Sequence, residues 1–239
     1  MEILNLEDVT MDLVLDEPNR PSLSESNAGL LWYPLAEAVS PRMNTRGKYS
    51  TLYPRGAIVH YTAGRDESED SARGTLSWGR EQGYCFFVIG PTGKVYQSFP
   101  LDEWGYHAGE SNWSGLGAGV SSKLVGIEVC CAGRLDNNRR SWFGETYAAD
   151  ETRKVTEAAY GCPTGIYRVY TKAQEAALID LLVWLARNKP SVFRTDYILG
   201  HHEVSGKKGI GYWRKADPGG SLSMTMDALR EKVAGLVGA

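Results

Sequence analysis

The sequence predicts an α/β fold: a single domain with a central mixed β-sheet flanked by helices, preceded by an irregular N-terminal extension. Short β-type runs near residues 57–61, 84–89, 94–97, 124–129 and 196–200 are separated by helix-like stretches near 69–82 and from 171 onward, and strands that alternate with helices point to one sheet covered by those helices. Across 239 residues, 42% are hydrophobic and 23% charged, enough apolar material for one sizeable core. No internal repeat is present, which removes solenoids and propellers.

Residues 1–50 are rich in Asp, Glu, Asn, Pro and Ser and are read as an extension packed on a main domain of residues 51–239. Ala57-Ile58-Val59-His60-Tyr61 is a β-type run ended by Thr62-Ala63-Gly64. After a modest helix at 69–82, Tyr84 to Ile89 and Lys94 to Gln97 form a hairpin around Gly90-Pro91-Thr92-Gly93. The Gly-rich stretch 105–119, with Trp104 before it and Trp113 within it, is a long loop of the kind that lines a carbohydrate or peptide groove.

Next comes Leu124-Val125-Gly126-Ile127-Glu128-Val129. There, Val125, Ile127 and Val129 share one face, and Gly126 and Glu128 the other. Thr171-x-x-Gln174 is a capping box, followed by Leu178, Leu181, Leu182 and Leu185 at helical spacing. A strand at 196–200 and a helix at 224–236 complete the chain.

Net charge is −3, with no run of Lys or Arg longer than two, so nucleic acid is not an expected partner. No stretch approaches the roughly 18–20 apolar residues of a membrane span, and the first residues lack the basic start and apolar core of a signal peptide. Synthesis in the cytoplasm without a signal peptide is expected, as is a monomer. Cys85, Cys130, Cys131 and Cys162 follow no metal or disulfide spacing and are expected to be free thiols.

Four histidines exist, His60, His107, His201 and His202, each beside a strand end or in a Gly-rich loop. Pro218 biases Asp217 toward extended backbone, so Lys215 and Asp217 should project to one side. Should His60 and His201 meet Asp217, two imidazoles and a carboxylate would leave the fourth tetrahedral position of a zinc ion open, as catalytic sites do. The HExxH, CxxC and HxE–PCxxC signatures are absent, as are GxSxG, P-loop and GxGxxG motifs.

In order, Ile58-Val59-His60-Tyr61-Thr62-Ala63, Gly83-Tyr84, Gly93-Lys94-Val95-Tyr96-Gln97, His107-Ala108-Gly109, Val125-Gly126-Ile127-Glu128, Gly200-His201 and Arg214-Lys215-Ala216-Asp217-Pro218-Gly219 resemble the type 2 N-acetylmuramoyl-L-alanine amidases, from about residue 56 to 236. The resemblance implies a Zn2+ enzyme that cuts between N-acetylmuramic acid and the L-Ala of the peptidoglycan stem, with His60, His201 and Asp217 as metal ligands. It also assigns catalytic roles to Glu128, Lys215 and Tyr84, and makes His107 a substrate-side residue beside Trp104 and Trp113. His201 is chosen over His202 on the expectation that one step along an extended chain turns the neighbour away.

Two segments, residues 206–212 and 144–165, exceed the compact members of the family. With the extension, they favour a lytic role on the cell wall, after release or secretion, over muropeptide recycling. The rival from another class is an inactive peptidoglycan-binding module, which the intact ligand set opposes.

Overall fold

A computed structural model describes residues 30–205 and 214–239. In chain order the elements are β1 (Ala36–Ala38), β2 (Ala57–Tyr61), α1 (Glu69–Gln82), β3 (Phe87–Ile89), β4 (Val95–Gln97), β5 (Asn112–Trp113), β6 (Gly117–Ala118), β7 (Val125–Val129) and β8 (Arg134–Leu135). Then follow β9 (Thr152–Val155), α2 (Glu157–Tyr160), β10 (Gly165–Arg168), α3 (Lys172–Asn188), β11 (Ile198–Gly200), α4 (His201–Ser205) and α5 (Met226–Gly238).

Six strands form one sheet in the order β1-β4-β3-β7-β2-β11. Only β3 and β4, the predicted hairpin, run antiparallel; the other neighbours are parallel. The sheet is therefore mixed, as expected. Its hairpin turn closes through Gly93, which adopts φ +85°, a conformation costly for residues with a Cβ.

The capping box forms: Thr171 Oγ1 accepts from the Gln174 N–H at 3.1 Å, and Gln174 Oε1 accepts from the Thr171 N–H at 2.9 Å. Behind it Leu178, Leu181, Leu182 and Leu185 are fully buried. They join Val59, Val125, Ile127 and Val129 of the sheet and Leu229 and Val233 of α5 in the main core. A second, smaller core places Ile58 and Leu199 under Ala108, Leu116, Val120 and Leu124. Long loop 105–124 is thus seated on the sheet by its own apolar residues, although its sequence is rich in Gly.

Several elements go beyond the expectation. Residues 36–38 of the supposed irregular extension form the edge strand β1, fastened where Gln97 Oε1 accepts from the Tyr33 N–H at 2.8 Å. Residues 134–168, which span the whole of the segment read as an insertion, build a separate three-stranded sheet, β8-β10-β9. Arg168 of β10 ties this small sheet to the loop after β2 through Asp66, at 3.0 Å. Residues 1–29 and the predicted extra segment 206–212 lie outside the described residues. All four cysteines are free thiols, and all are buried.

Candidate metal centre and groove

His60 and Glu128 are direct neighbours across the parallel pair β2·β7 and so stand on one face. Strand order brings β11 to the other side of β2, and the chain turns from Gly200 straight into α4, which begins with His201. This junction is locked by Glu203: its carboxylate accepts from the Gly200 N–H at 2.8 Å and pairs with Arg230 of α5 at 3.0 Å. Tyr170 Oη donates to the His60 carbonyl at 3.0 Å and fixes the end of β2.

The three expected ligands meet. His60 Nδ1 lies 3.0 Å from His201 Nδ1, and each lies 2.9 Å from Asp217 Oδ2. All three residues are buried. His202 is turned away, but for a different reason than expected, because His201 and His202 open a helix instead of continuing a strand. A step of about 100° along that helix aims the His202 ring at the Asp217 backbone, where its Nδ1 donates to the Asp217 carbonyl at 2.9 Å and its N–H does so at 3.0 Å. His202 thereby holds the segment that presents the carboxylate.

The opposite ring nitrogens decide whether this set fits a metal. His201 Nε2 lies 3.0 Å from the Ala108 carbonyl, and His107 Nε2 lies 2.9 Å from the Leu124 carbonyl. A carbonyl only accepts, so both nitrogens carry protons, and in the neutral rings Nδ1 is bare. The bare His107 Nδ1, 3.1 Å from His60 Nε2, then accepts a hydrogen bond from the Nε2–H, which puts the neutral His60 in the tautomer with a bare Nδ1. Burial, then the charge of His201, pushes the His60 imidazole down to about 4, against the opposing pull of Asp217. Burial resists ionisation of Asp217, yet the His201 and His60 rings hold its carboxyl below the usual range. Two imidazole nitrogens and a carboxylate oxygen gathered this closely, with the far ring nitrogens held by protein acceptors, form a donor set that suits Zn2+.

His107 was expected on the substrate side. It borders the groove, but both its ring nitrogens are engaged by the protein. Its ring lies on Gly126, where a Cβ would come within 2.6 Å of it. We therefore expect His107→Ala to weaken zinc binding about 10–100-fold, the usual cost of losing an outer partner of a metal ligand. Competition with a chromogenic chelator measures this, and an unchanged affinity would return His107 to the substrate.

The centre opens into a groove of about 530 Å³, bordered by Glu128, Lys215, Arg214, Tyr84, Trp78 and Phe86 among others. Lys215 and Asp217 do face one cavity. Glu128 Oε2 is sealed from solvent and has no hydrogen-bond partner among the described residues. Burial first, then the Asp217 charge, raises the Glu128 carboxyl well above its ordinary range, while Lys215 pulls it back.

Trp104 and Trp113 are not among the described residues bordering this groove. Trp104 packs edge-on against Tyr106 at 5.6 Å, and Trp113 rests against the second core. The sequence reading missed Trp78 and Trp142, which border the groove or its continuation. For Trp78 a signal existed: α1 buries Ala72, Leu76 and Gly79 on one stripe, and an aromatic two residues past Leu76 falls off it. Trp142 carried none, since its place depends on how the 134–168 segment folds.

A family model described as N-acetylmuramoyl-L-alanine amidase matches residues 50–220. Among solved structures, a selenomethionine derivative of AmpD is 19% identical, with 84% of this chain and 96% of that chain covered and a TM-score of 0.52. AmiD from E. coli, in complex with anhydro-N-acetylmuramic acid-L-Ala-D-γ-Glu-L-Lys, is 20% identical over 78% of this chain and 61% of its own, with a TM-score of 0.50. AmpDh3 from Pseudomonas aeruginosa, in complex with an anhydromuramic pentapeptide, is 16% identical over 85% of this chain and 64% of its own, with a TM-score of 0.51. The chain thus spans less than two thirds of AmiD and AmpDh3. No curated protein sequence matches it. At these identities the solved structures speak for the fold, and the model spanning most of the chain speaks for the lineage: the chain belongs to the N-acetylmuramoyl-L-alanine amidase family.

Proposed function

We propose that the protein is a zinc-dependent hydrolase that cleaves the amide between N-acetylmuramic acid and L-Ala in polymeric peptidoglycan, in a lytic role. Amidase activity comes with the family. The zinc requirement is supported by one observation above all: a ligand atom from each of His60, His201 and Asp217 converges on one buried point. No described helix is long and apolar enough to cross a membrane.

Zinc held by these residues would polarise the scissile carbonyl and bring the pKa of a water toward about 7. Glu128 would take the proton of the attacking water; its buried Oε2, without a hydrogen-bond partner among the described residues, supports that role. As the carbonyl carbon becomes tetrahedral, negative charge grows on its oxygen. Lys215 supplies the opposing charge and Tyr84, on the same groove, a hydrogen bond. Collapse breaks the C–N bond, and the proton held by Glu128 passes to the departing L-Ala amine.

Lys215→Ala is expected to keep its zinc and lose about 10²–10³ in kcat, the range found when one stabilising donor of this kind is removed; an unchanged kcat would remove Lys215 from the mechanism. The reading as a whole is tested by digesting intact peptidoglycan with and without a zinc chelator and identifying the fragments by mass spectrometry. Chelator-sensitive release of stem peptides beginning with L-Ala supports it. Cleavage confined to small muropeptides would replace the lytic role with recycling, and none at all would favour a binding module. Support for a polymeric substrate comes from the groove itself, which continues beyond Glu128 into a second cavity with which it shares five lining residues, Thr62, Ala63, Trp78, Phe86 and Glu128.

A further inference from the structure

That second cavity, about 490 Å³, is lined by Trp78 and Trp142 with Phe86 and small residues such as Gly64 and Gly74. Both tryptophans are exposed, Trp142 to 80% and Trp78 to 53%. An indole exposed to that degree beside a functional groove is informative, because large aromatic surface is ordinarily withdrawn from water. Trp142 is also held in place: its Nε1–H donates to the Ala63 carbonyl at 2.6 Å, and its ring meets Phe143 edge-on at 5.6 Å. A fixed, wet aromatic face pays little ordering cost on binding. Trp142 stands in the connection between β8 and β9, part of the small second sheet, so this wall is built by a segment outside the six-stranded body.

Charge separates the two ends of the groove. The metal-side cavity carries Arg214 and Lys215, both exposed. Among the described residues lining the Trp-walled cavity the only cation is Arg65, which is already paired with Glu67 at 3.1 Å and Glu145 at 3.2 Å. The substrate is asymmetric in the same sense. On one side of the scissile amide lies an uncharged sugar ring; on the other lies a stem whose D-γ-Glu bears a free carboxylate. The C–H faces of a pyranose stack on indole, and carboxylates seek guanidinium and ammonium groups.

We propose that the cavity walled by Trp78 and Trp142 is a saccharide subsite that holds the glycan strand on the sugar side of the scissile bond, leaving the anionic stem to the Arg214–Lys215 side. This rests on the amidase reading for the identity of the substrate.

The test uses zinc-loaded full-length protein, with a peptide-free GlcNAc–MurNAc tetrasaccharide and the tripeptide L-Ala-D-γ-Glu-L-Lys as separate probes in titrations followed by calorimetry. The tetrasaccharide is expected to bind, and Trp142→Ala or Trp78→Ala to weaken it about 10-fold or more, as truncation of an aromatic anchor does, while the tripeptide binds as before. Trp142→Phe should recover part of the loss. On polymeric peptidoglycan the alanine variants should raise KM with kcat held, the mark of binding lost equally from ground and transition states. The proposal is overturned if the wild-type protein fails to bind the tetrasaccharide, if both alanine variants bind it normally, or if they lose the tripeptide instead. Failure of the amidase reading would look different: no cleavage by the wild type, with the saccharide titration still reporting on the subsite.

Discussion

Asp217→Ala is expected to lose bound zinc and turnover together. The carboxylate supplies the only negative charge among the three donor atoms, and without it only two imidazole nitrogens, 3.0 Å apart, remain to hold a cation. The drop in metal affinity should exceed the roughly 10–100-fold typical of an outer partner. Metal content after gel filtration, read beside the rate on peptidoglycan, measures both effects. Asp217→Asn sharpens the comparison, because it keeps the side-chain shape while removing the charge. Stoichiometric zinc and a normal rate in Asp217→Ala would end the assignment of this centre.

Glu128→Gln is expected to behave in the opposite way, keeping its zinc and losing about 10²–10⁴ in kcat, the usual worth of a positioned general base. The substitution preserves size and exchanges a proton acceptor for an amide that cannot take one. Glu128 belongs to a central strand and lies next to His60 in the register, so a purely structural role would appear as lowered stability with a rate near normal. Measuring melting temperature alongside kcat separates the two.

Much of this arrangement was legible in the sequence because it depends on local periodicity. Alternation along residues 125–129 placed Glu128 opposite the core face, and i, i+2 spacing placed Lys215 and Asp217 toward one cavity. The capping box at Thr171 and Gln174 formed as written. Contacts between segments distant in sequence were not legible. His107 found both its partners, His60 and Leu124, through tertiary packing. His202 was judged by strand geometry, whereas α4 begins one residue before it. The short pairings of β1 and of the 134–168 sheet carry too few residues each to show a period, and Trp142 reaches the groove only through them.

Consecutive residues of one loop brace both ligand rings, His107 against His60 and the Ala108 carbonyl against His201. The backbone N–H groups of His107 and Ala108 are in turn both received by Ser121 Oγ, at 3.3 and 3.0 Å. If this centre holds zinc as proposed, loop order and metal retention are linked functions in the thermodynamic sense: whatever stabilises the loop must tighten the metal by the same factor as the metal stabilises the loop. A glycan or stem peptide settling against this loop would slow zinc loss during turnover. Conversely, were zinc bound there, local opening of residues 107–121 would weaken the bracing of both ligand rings.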